Sequence, residues 1–578
     1  MSPLFTAVYM RKFILLFIVL TVTAACYLPG LSGSYIFDDG VNLGMNSSLK
    51  IEALDFASLQ QAALSGNAGL LQRPISMVSF ALNYYFSGDV YHFKATNLGI
   101  HLLNGLLVFV FTRLLFKLYF HVYHPTDNHS TWLAIAVAAI WLLHPFNLTG
   151  VLYVVQRMTS LAMMFTLAGL ALYLIGRQRL LDGEKTGFVA ISAGLFLATT
   201  LAALSKENGA LLPLLLLALE LILLRWQTPN RVDRLALMAM VSTAALAPVL
   251  AGLFYLWTHP DLLHSGYQWR DFSLAERLMT EARVLWFYLH MILLPNMTQM
   301  GLHHDDILIS RSLFFPWTTL PAMLGMLLLA GSLFVLRKKF PILAFGIAFF
   351  LIGHSLESTF IPLEIAAEHR NYLPMLGILL PLTYYAISPN VHSTSIRLRR
   401  FALLSVIVLF AGITASRAHQ WGDPLVMRTL EVQRHPNSVR ANIDIGHLYN
   451  YIPPNSEENA IELYDKAAFH YRQAANVGPA NVAGLTSLLA MNAERSLQID
   501  SALVEELEHR LATAPFGPPN KNSLIGVARC IAIGSCNVDS EVIDRLYRAA
   551  LSNPTLTGNL RSQIVSEFDQ IPPQVWHR

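Results

Sequence analysis

The chain has 578 residues, of which 54% are hydrophobic and only 13% charged, against roughly 25% charged in an ordinary soluble domain. With a mean hydropathy of +0.46, this composition excludes a soluble globular protein and indicates an integral membrane protein. The formal net charge of +3 is too small to argue for a nucleic-acid partner, and the Lys and Arg residues sit in short clusters between apolar runs, where they set topology.

Residues 12–30 are apolar and long enough to cross ~30 Å of hydrocarbon. Arg11-Lys12 in front of them predicts a cytoplasmic N-terminus. A cleaved signal peptide is the alternative, disfavoured because no small-residue cleavage site follows. Cys26 follows Thr23-Ala24-Ala25 without the aliphatic residue of a lipoprotein site and is read as an ordinary membrane cysteine. A first loop, 31–92, carries two adjacent carboxylates in Tyr35-Ile36-Phe37-Asp38-Asp39-Gly40, then a helical pattern near 53–64 and an interfacial run from Arg73-Pro74 to Phe86. Asp-Asp-Gly alone is good turn chemistry. An ionisable pair at a membrane edge is also a functional-site hypothesis.

Further spans are predicted near 95–118, 131–146, 151–175, 187–205, 209–225, 236–257, 315–336, 341–359, 372–388 and 401–416, making about eleven. Charge asymmetry supports the alternation. Arg177-Gln178-Arg179, Arg225 with Arg231 and Arg234, Arg337-Lys338-Lys339 and Arg397-Leu398-Arg399-Arg400 all fall on the side of the N-terminus, and an odd number of spans places 417–578 on the other side. There the connections are chemically dense: His144-Pro145, Gln156-Arg157 just inside the next span, Lys206-Glu207-Asn208, and Glu364 with Glu368-His369-Arg370-Asn371-Tyr372. A second large loop, 258–314, holds Trp269-Arg270-Asp271 and His303-His304-Asp305-Asp306. Any one of these charges reads equally as half of a structural ion pair; gathered on one face, they predict a water-accessible site. The His-His-Asp-Asp run has ligand types but lacks the i, i+4 spacing of a helical metal site, so no metal ligands are assigned.

From Arg417 the long apolar runs stop and the chain reads as soluble and helical. Ala460 to Gly478, with Leu463, Tyr464, Ala467, Ala468 and Tyr471 at helical spacing, resembles the second half of a degenerate tetratricopeptide repeat. Outside the cytosol, Cys530 and Cys536 are expected to form a disulfide, with two buried free thiols as the alternative.

Phe37-Asp38-Asp39, Arg73-Pro74, His101 and Asn104, His144-Pro145, Lys206-Glu207, Glu368-His369-Arg370-Asn371-Tyr372-Leu373-Pro374 and Arg417-Ala418-His419-Gln420-Trp421 occur in an order that resembles the transmembrane and tetratricopeptide-repeat O-mannosyltransferases and their bacterial relatives. Gln156-Arg157-Met158 departs from the glycine that tends to precede this arginine in the animal proteins. The resemblance implies an all-α fold: a GT-C-type transmembrane glycosyltransferase domain over 1–416 and an extracytoplasmic repeat-like domain over 417–578. It implies transfer of a sugar from a polyprenyl-phosphate carrier to a protein hydroxyl on the extracytoplasmic face, at a bacterial inner membrane with the C-terminal domain periplasmic. The partners are then the lipid-linked donor, membrane lipid and an extracytoplasmic protein acceptor. A divalent metal is compatible with such chemistry but has no supporting ligand set here.

In that scheme Asp38 is the base, Asp39 its reserve or its orienting group, and Arg157, Lys206, His369 and Arg370 receive the donor phosphate. Arg73, His144, Glu207, Glu368 and Tyr372 support them. Two other functions remain open: an oligosaccharide ligase or polymerase with polyprenyl-diphosphate donors, and a membrane-anchored helical scaffold without catalysis.

Overall fold

The computed structural model describes residues 3–67, 69, 71–123, 129–261, 266–267, 270–388 and 395–576, with side chains from residue 10 onward. Trp269 of the second large loop lies outside the described residues. Every described regular element is helical, as an apolar chain in lipid requires, because a helix satisfies its own backbone N–H and C=O groups.

Among the described residues, eight helices are long and apolar enough to cross a membrane. The first is α1 (Pro3–Tyr27), which leads into the acidic loop with α2 (Phe56–Ala63) and α3 (Pro74–Phe86). α4 (Val90–Tyr123) follows; its 34 residues reach about 51 Å at ~1.5 Å per residue and outrun the bilayer. α5 (Ser130–Leu142) and α6 (Leu148–Leu152) form a pair bent by 55° across His144-Pro145, and count as a ninth span if taken as one. α7 (Arg157–Leu181), α8 (Gly187–Ser205), α9 (Glu207–Leu224) and α10 (Arg231–Thr258) come next. The amphipathic α11 (Leu274–Leu293) starts in a capping box, Ser273 accepting from the Glu276 N–H while Glu276 accepts from that of Ser273. α12 (Thr319–Lys339), α13 (Pro341–His354), α14 (Leu376–Ile387) and α15 (Ile396–Gly422) complete the apolar set.

Against the eleven spans expected, the runs at 341–359 and 372–388 form α13 and α14, of only 14 and 12 residues, about 21 and 18 Å long and shorter than any of the eight. Their polar ends, Ser355 to Met375, fold back as turns inside the bundle. These two helices cross at glycines: a Cβ on Gly346 would stand 2.1 Å from the Gly377 carbonyl oxygen, and only small residues allow backbones that close.

The two ends of the bundle differ. At one, Arg177 pairs with the enclosed Glu220 at 2.5 Å, and Arg225 donates to the Arg337 carbonyl at 3.3 Å, so three of the basic connections share an end. At the other lie the acidic loop and the 355–371 turns.

The change of composition at Arg417 falls within α15. Beyond it, α16 (Pro424–Arg434), α17 (Val439–Tyr451), α18 (Glu457–Val477) and α19 (Ala483–Glu494) pack in succession, followed by α20 (Ser501–Thr513), α21 (Pro518–Ala532), α22 (Ser540–Ser552) and α23 (Gly558–Phe568). Gly446 lets α17 lie against the Tyr471 ring of α18, where a Cβ would meet it at 2.6 Å. This is the small-against-aromatic stacking expected of helical repeats. A second core built on Tyr471, Leu489, Leu507, Leu524 and Phe568 holds these helices together, and Cys530 is bonded to Cys536.

Candidate functional site

The two acidic residues face different surroundings. Asp39 is fully buried: its carboxylate accepts from the N–H groups of Val155 at 2.7 Å, Ile36 at 3.2 Å and Val154 at 3.3 Å. It pins the acidic loop to the turn between α6 and α7. Burial pushes its carboxyl up to about 7 against the pull of those three N–H groups. Asp38 instead presents its side chain to solvent. Its carboxyl is raised above the usual range, first by loss of water and then by the Glu364 carboxylate, while Arg440, Tyr153 and His303 oppose this. Its N–H donates to the Tyr153 hydroxyl at 3.2 Å. The residue before it, Phe37, is left-handed at φ 45°, a conformation costing a non-glycine residue about 1–2 kcal/mol and concentrated at functional sites.

Tyr153 links this acid to the cations. Its ring meets that of His369 edge-on at 6.3 Å, and His369 feels the charges of Lys206, Glu357, Arg370 and Arg73. Burial and the neighbouring cations hold its imidazole well below its ordinary pKa, hence neutral. Lys206 pairs with Glu357 at 2.7 Å and donates to the Thr159 hydroxyl at 3.0 Å. Arg73, also left-handed at φ 54°, pairs with Glu207 at 2.8 Å. Arg370 donates to the Ile365 carbonyl at 3.2 Å and is held electrostatically by Glu281, Glu357 and Glu364. Arg277 clamps the loop behind them through the carbonyls of Glu357, Thr359 and Leu363.

The expected residues thus separate. Lys206, His369, Arg370 and Arg73 lie within electrostatic reach of one another, with Glu207 on Arg73, and Asp38 is joined to this group through Tyr153. Arg157 does not present its guanidinium there: fully buried, it donates to the Asn97 side chain at 2.7 Å and to the carbonyls of Ser79 and Phe93, between the Phe80 and Phe93 rings. Its expected phosphate contact is corrected to a packing role, because helical phase at the start of α7 turns it inward. Glu368 holds Arg417 at 3.0 Å and the Gly301 N–H at 2.9 Å rather than Lys206 or Arg370. His144 spends both ring nitrogens on the Phe146 N–H and the Ile292 carbonyl, and Tyr372 is enclosed with its hydroxyl 2.7 Å from His101; both brace the bundle.

Tyr153, Glu357 and Arg440 carry no signal in the sequence. Tyr153 is hidden in an apolar run, Glu357 in what reads as the end of a span, and Arg440 lies far along the chain. The four residues of the His-His-Asp-Asp run diverge toward the helical region instead of converging. His303 pairs with Asp444 at 3.0 Å, Asp305 accepts from Ser438 at 2.5 Å, Asp306 pairs with His435 at 2.9 Å, and the His304 ring meets that of His435 edge-on. A cavity of about 330 Å³ beside this junction is lined by Arg283, Phe287, His304 and Arg434 and includes neither Asp38 nor Lys206, His369 or Arg370.

Two relatives share 26% identity over 201 residues: a protein O-mannosyl-transferase of Caenorhabditis elegans, matched over 34% of this chain and 26% of its own length, and the human protein O-mannosyl-transferase TMTC4, over 33% and 27%. The chain therefore spans about a quarter of the length of these relatives. It resembles the transmembrane O-mannosyltransferases in sequence and is an all-helical polytopic membrane protein. No family model matches the chain, and no solved structure does.

Proposed function

We propose that this protein is a GT-C-type membrane glycosyltransferase that moves a sugar from a polyprenyl-phosphate carrier to a protein hydroxyl on the extracytoplasmic face. The observation that carries the reading is an accessible carboxylate, Asp38, set beside a layer of cations through a single bridging ring, Tyr153. In an inverting transfer the acceptor oxygen attacks the anomeric carbon, a new C–O bond forms, and the bond to the carrier phosphate breaks. Asp38 takes the proton from the acceptor hydroxyl, a role that needs an ionised carboxylate within hydrogen-bond reach. The phosphate leaves with its charge against Arg370 and Lys206, and neutral His369 offers an N–H; such fixed groups stabilise charge most where water is scarce. Glu357 and Glu207 hold Lys206 and Arg73 in place. The helical region beside the cleft receives the acceptor.

The test is transfer of radiolabelled sugar from polyprenyl phosphate to extracytoplasmic proteins by purified protein in detergent. Mannose is the first sugar to try, because both relatives carry it in their names. Incorporation from the monophosphate carrier is the expected result. Incorporation only from a diphosphate carrier moves the assignment to a ligase, and none from either, with intact folded protein, leaves the scaffold.

A further inference from the structure

The surroundings of Asp38 are not completed by the membrane helices alone. Arg440 is in the first turn of α17, in the soluble helical region, yet its guanidinium lies 4.8 Å over the Phe37 ring and 2.5 Å from the Glu364 carboxylate. Its own N–H donates to Asp305 at 3.3 Å, which fixes the start of the helix that delivers it. Phe37 is the left-handed residue immediately before Asp38, and Glu364 acts on both Asp38 and Arg370. One planar cation thus touches the side chain of the residue before the proposed base and the acid whose charge bears on that base.

Resting on the function proposed above, we propose that Arg440 is a positioning residue of this site: by stacking on Phe37 and pairing with Glu364, the helical region fixes where the Asp38 carboxylate stands. The stack suits arginine specifically, since a guanidinium can lie flat on a ring and still donate in its plane, whereas an ammonium is a point charge. The ionisable groups facing Asp38 are Glu364, Arg440, Tyr153 and His303, with Asp39 next to it and Asp305 behind Arg440. Of these, Glu364 favours the protonated acid while Arg440 and His303 favour the carboxylate.

The test is the pH profile of sugar transfer by the full-length chain carrying Arg440→Gln, Arg440→Lys or Glu364→Gln. Arg440→Gln is expected to lower turnover about 10- to 100-fold, the scale of a small misplacement of a reacting group, and to move the acid limb to higher pH. Glu364→Gln is expected to move that limb the other way, and Arg440→Lys to restore part of the turnover. A purely structural role would lower the amount of folded protein and leave the limb where it is. Unmoved limbs in both neutral variants, or shifts of the same sign, overturn the proposal. Should Arg440→Gln fail to fold, Phe37→Leu decides: it removes the ring on which Arg440 stacks and keeps the pair with Glu364, turnover is expected to fall, and wild-type turnover in that variant overturns the proposal. Loss of the function itself is distinguished by Asp38→Asn: if that variant keeps wild-type transfer, the base assignment fails whatever Arg440 does.

Discussion

Replacing Asp38 with asparagine preserves its shape and its N–H contact with Tyr153 but removes the proton acceptor, so turnover should fall about 10²–10⁴-fold, as for loss of a general base. Folding and donor binding should be kept, because the side chain faces solvent; radiolabel transfer with a parallel melting curve in detergent reads both, and wild-type turnover would end the assignment. Asp39 behaves differently. Its folded-state carboxyl is raised to about 7 from 3.8, so the folded protein holds a proton that the unfolded chain has released. The stability this gives is complete below the lower value and is lost as pH rises through about 7. Asp39→Asn should therefore flatten the pH dependence of the melting temperature between about pH 4 and 7, at the expense of an acceptor oxygen that leaves a buried N–H unpaired, about 1–3 kcal/mol. An unchanged slope would mean that the three N–H donors keep Asp39 ionised. Lys206→Ala should weaken donor binding and turnover together, since a phosphate contact exists in the ground state and strengthens in the transition state.

The crossing of α13 and α14 shows at the scale of elements what composition conveys and what it hides. Leu- and Phe-rich runs at 341–359 and 372–388 fulfil the length criterion on paper. The polar residues between them form the turns from Ser355 to Met375, so α13 ends early and α14 starts late. Gly346→Ala would push a methyl group into the Gly377 carbonyl and the Pro381 ring, 2.1 and 2.7 Å away. Overpacking of this kind costs about 1–3 kcal/mol, and because the same two helices flank the turns carrying Glu357 and Arg370, a thermal-shift assay should show destabilisation together with loss of transfer. A melting temperature equal to wild type would mean that the crossing is loose. Periodicity likewise located α7 but not which way Arg157 faces. Buried arginine and phosphate-binding arginine look the same in sequence, and only the packing of α3 and α4 around it separates them. Asp38, Lys206, His369 and Arg370 stand out in the sequence because charged residues at the edges of apolar runs are costly without a partner. Tyr153 does not, since a tyrosine in an apolar run carries no such cost.

For the whole molecule the decisive asymmetry is between the end bearing the Arg225–Arg337 contact and the end bearing Asp38 and the helical region. Lys and Arg near span ends are retained in the cytoplasm during insertion, and this sets orientation without reference to function. Reporter fusions after Arg179, Arg234, Lys339 and Arg400 should therefore behave as cytoplasmic, and fusions after Asn208 and Trp421 as extracytoplasmic. The bend at His144-Pro145 makes this a demanding test: if α5 and α6 together did not cross, every later connection would change sides. Cysteine chemistry offers a second readout that does not depend on fusion junctions. A bond between Cys530 and Cys536 is sustained in an oxidising compartment and not in the cytosol; its short loop limits the stabilisation to about 2–3 kcal/mol. Labelling of non-reduced protein with a thiol reagent should then find Cys530 and Cys536 blocked. Labelling of both, together with cytoplasmic behaviour of the fusion after Trp421, would reverse the orientation and put Asp38 on the cytoplasmic face, where the proposed acceptors are absent.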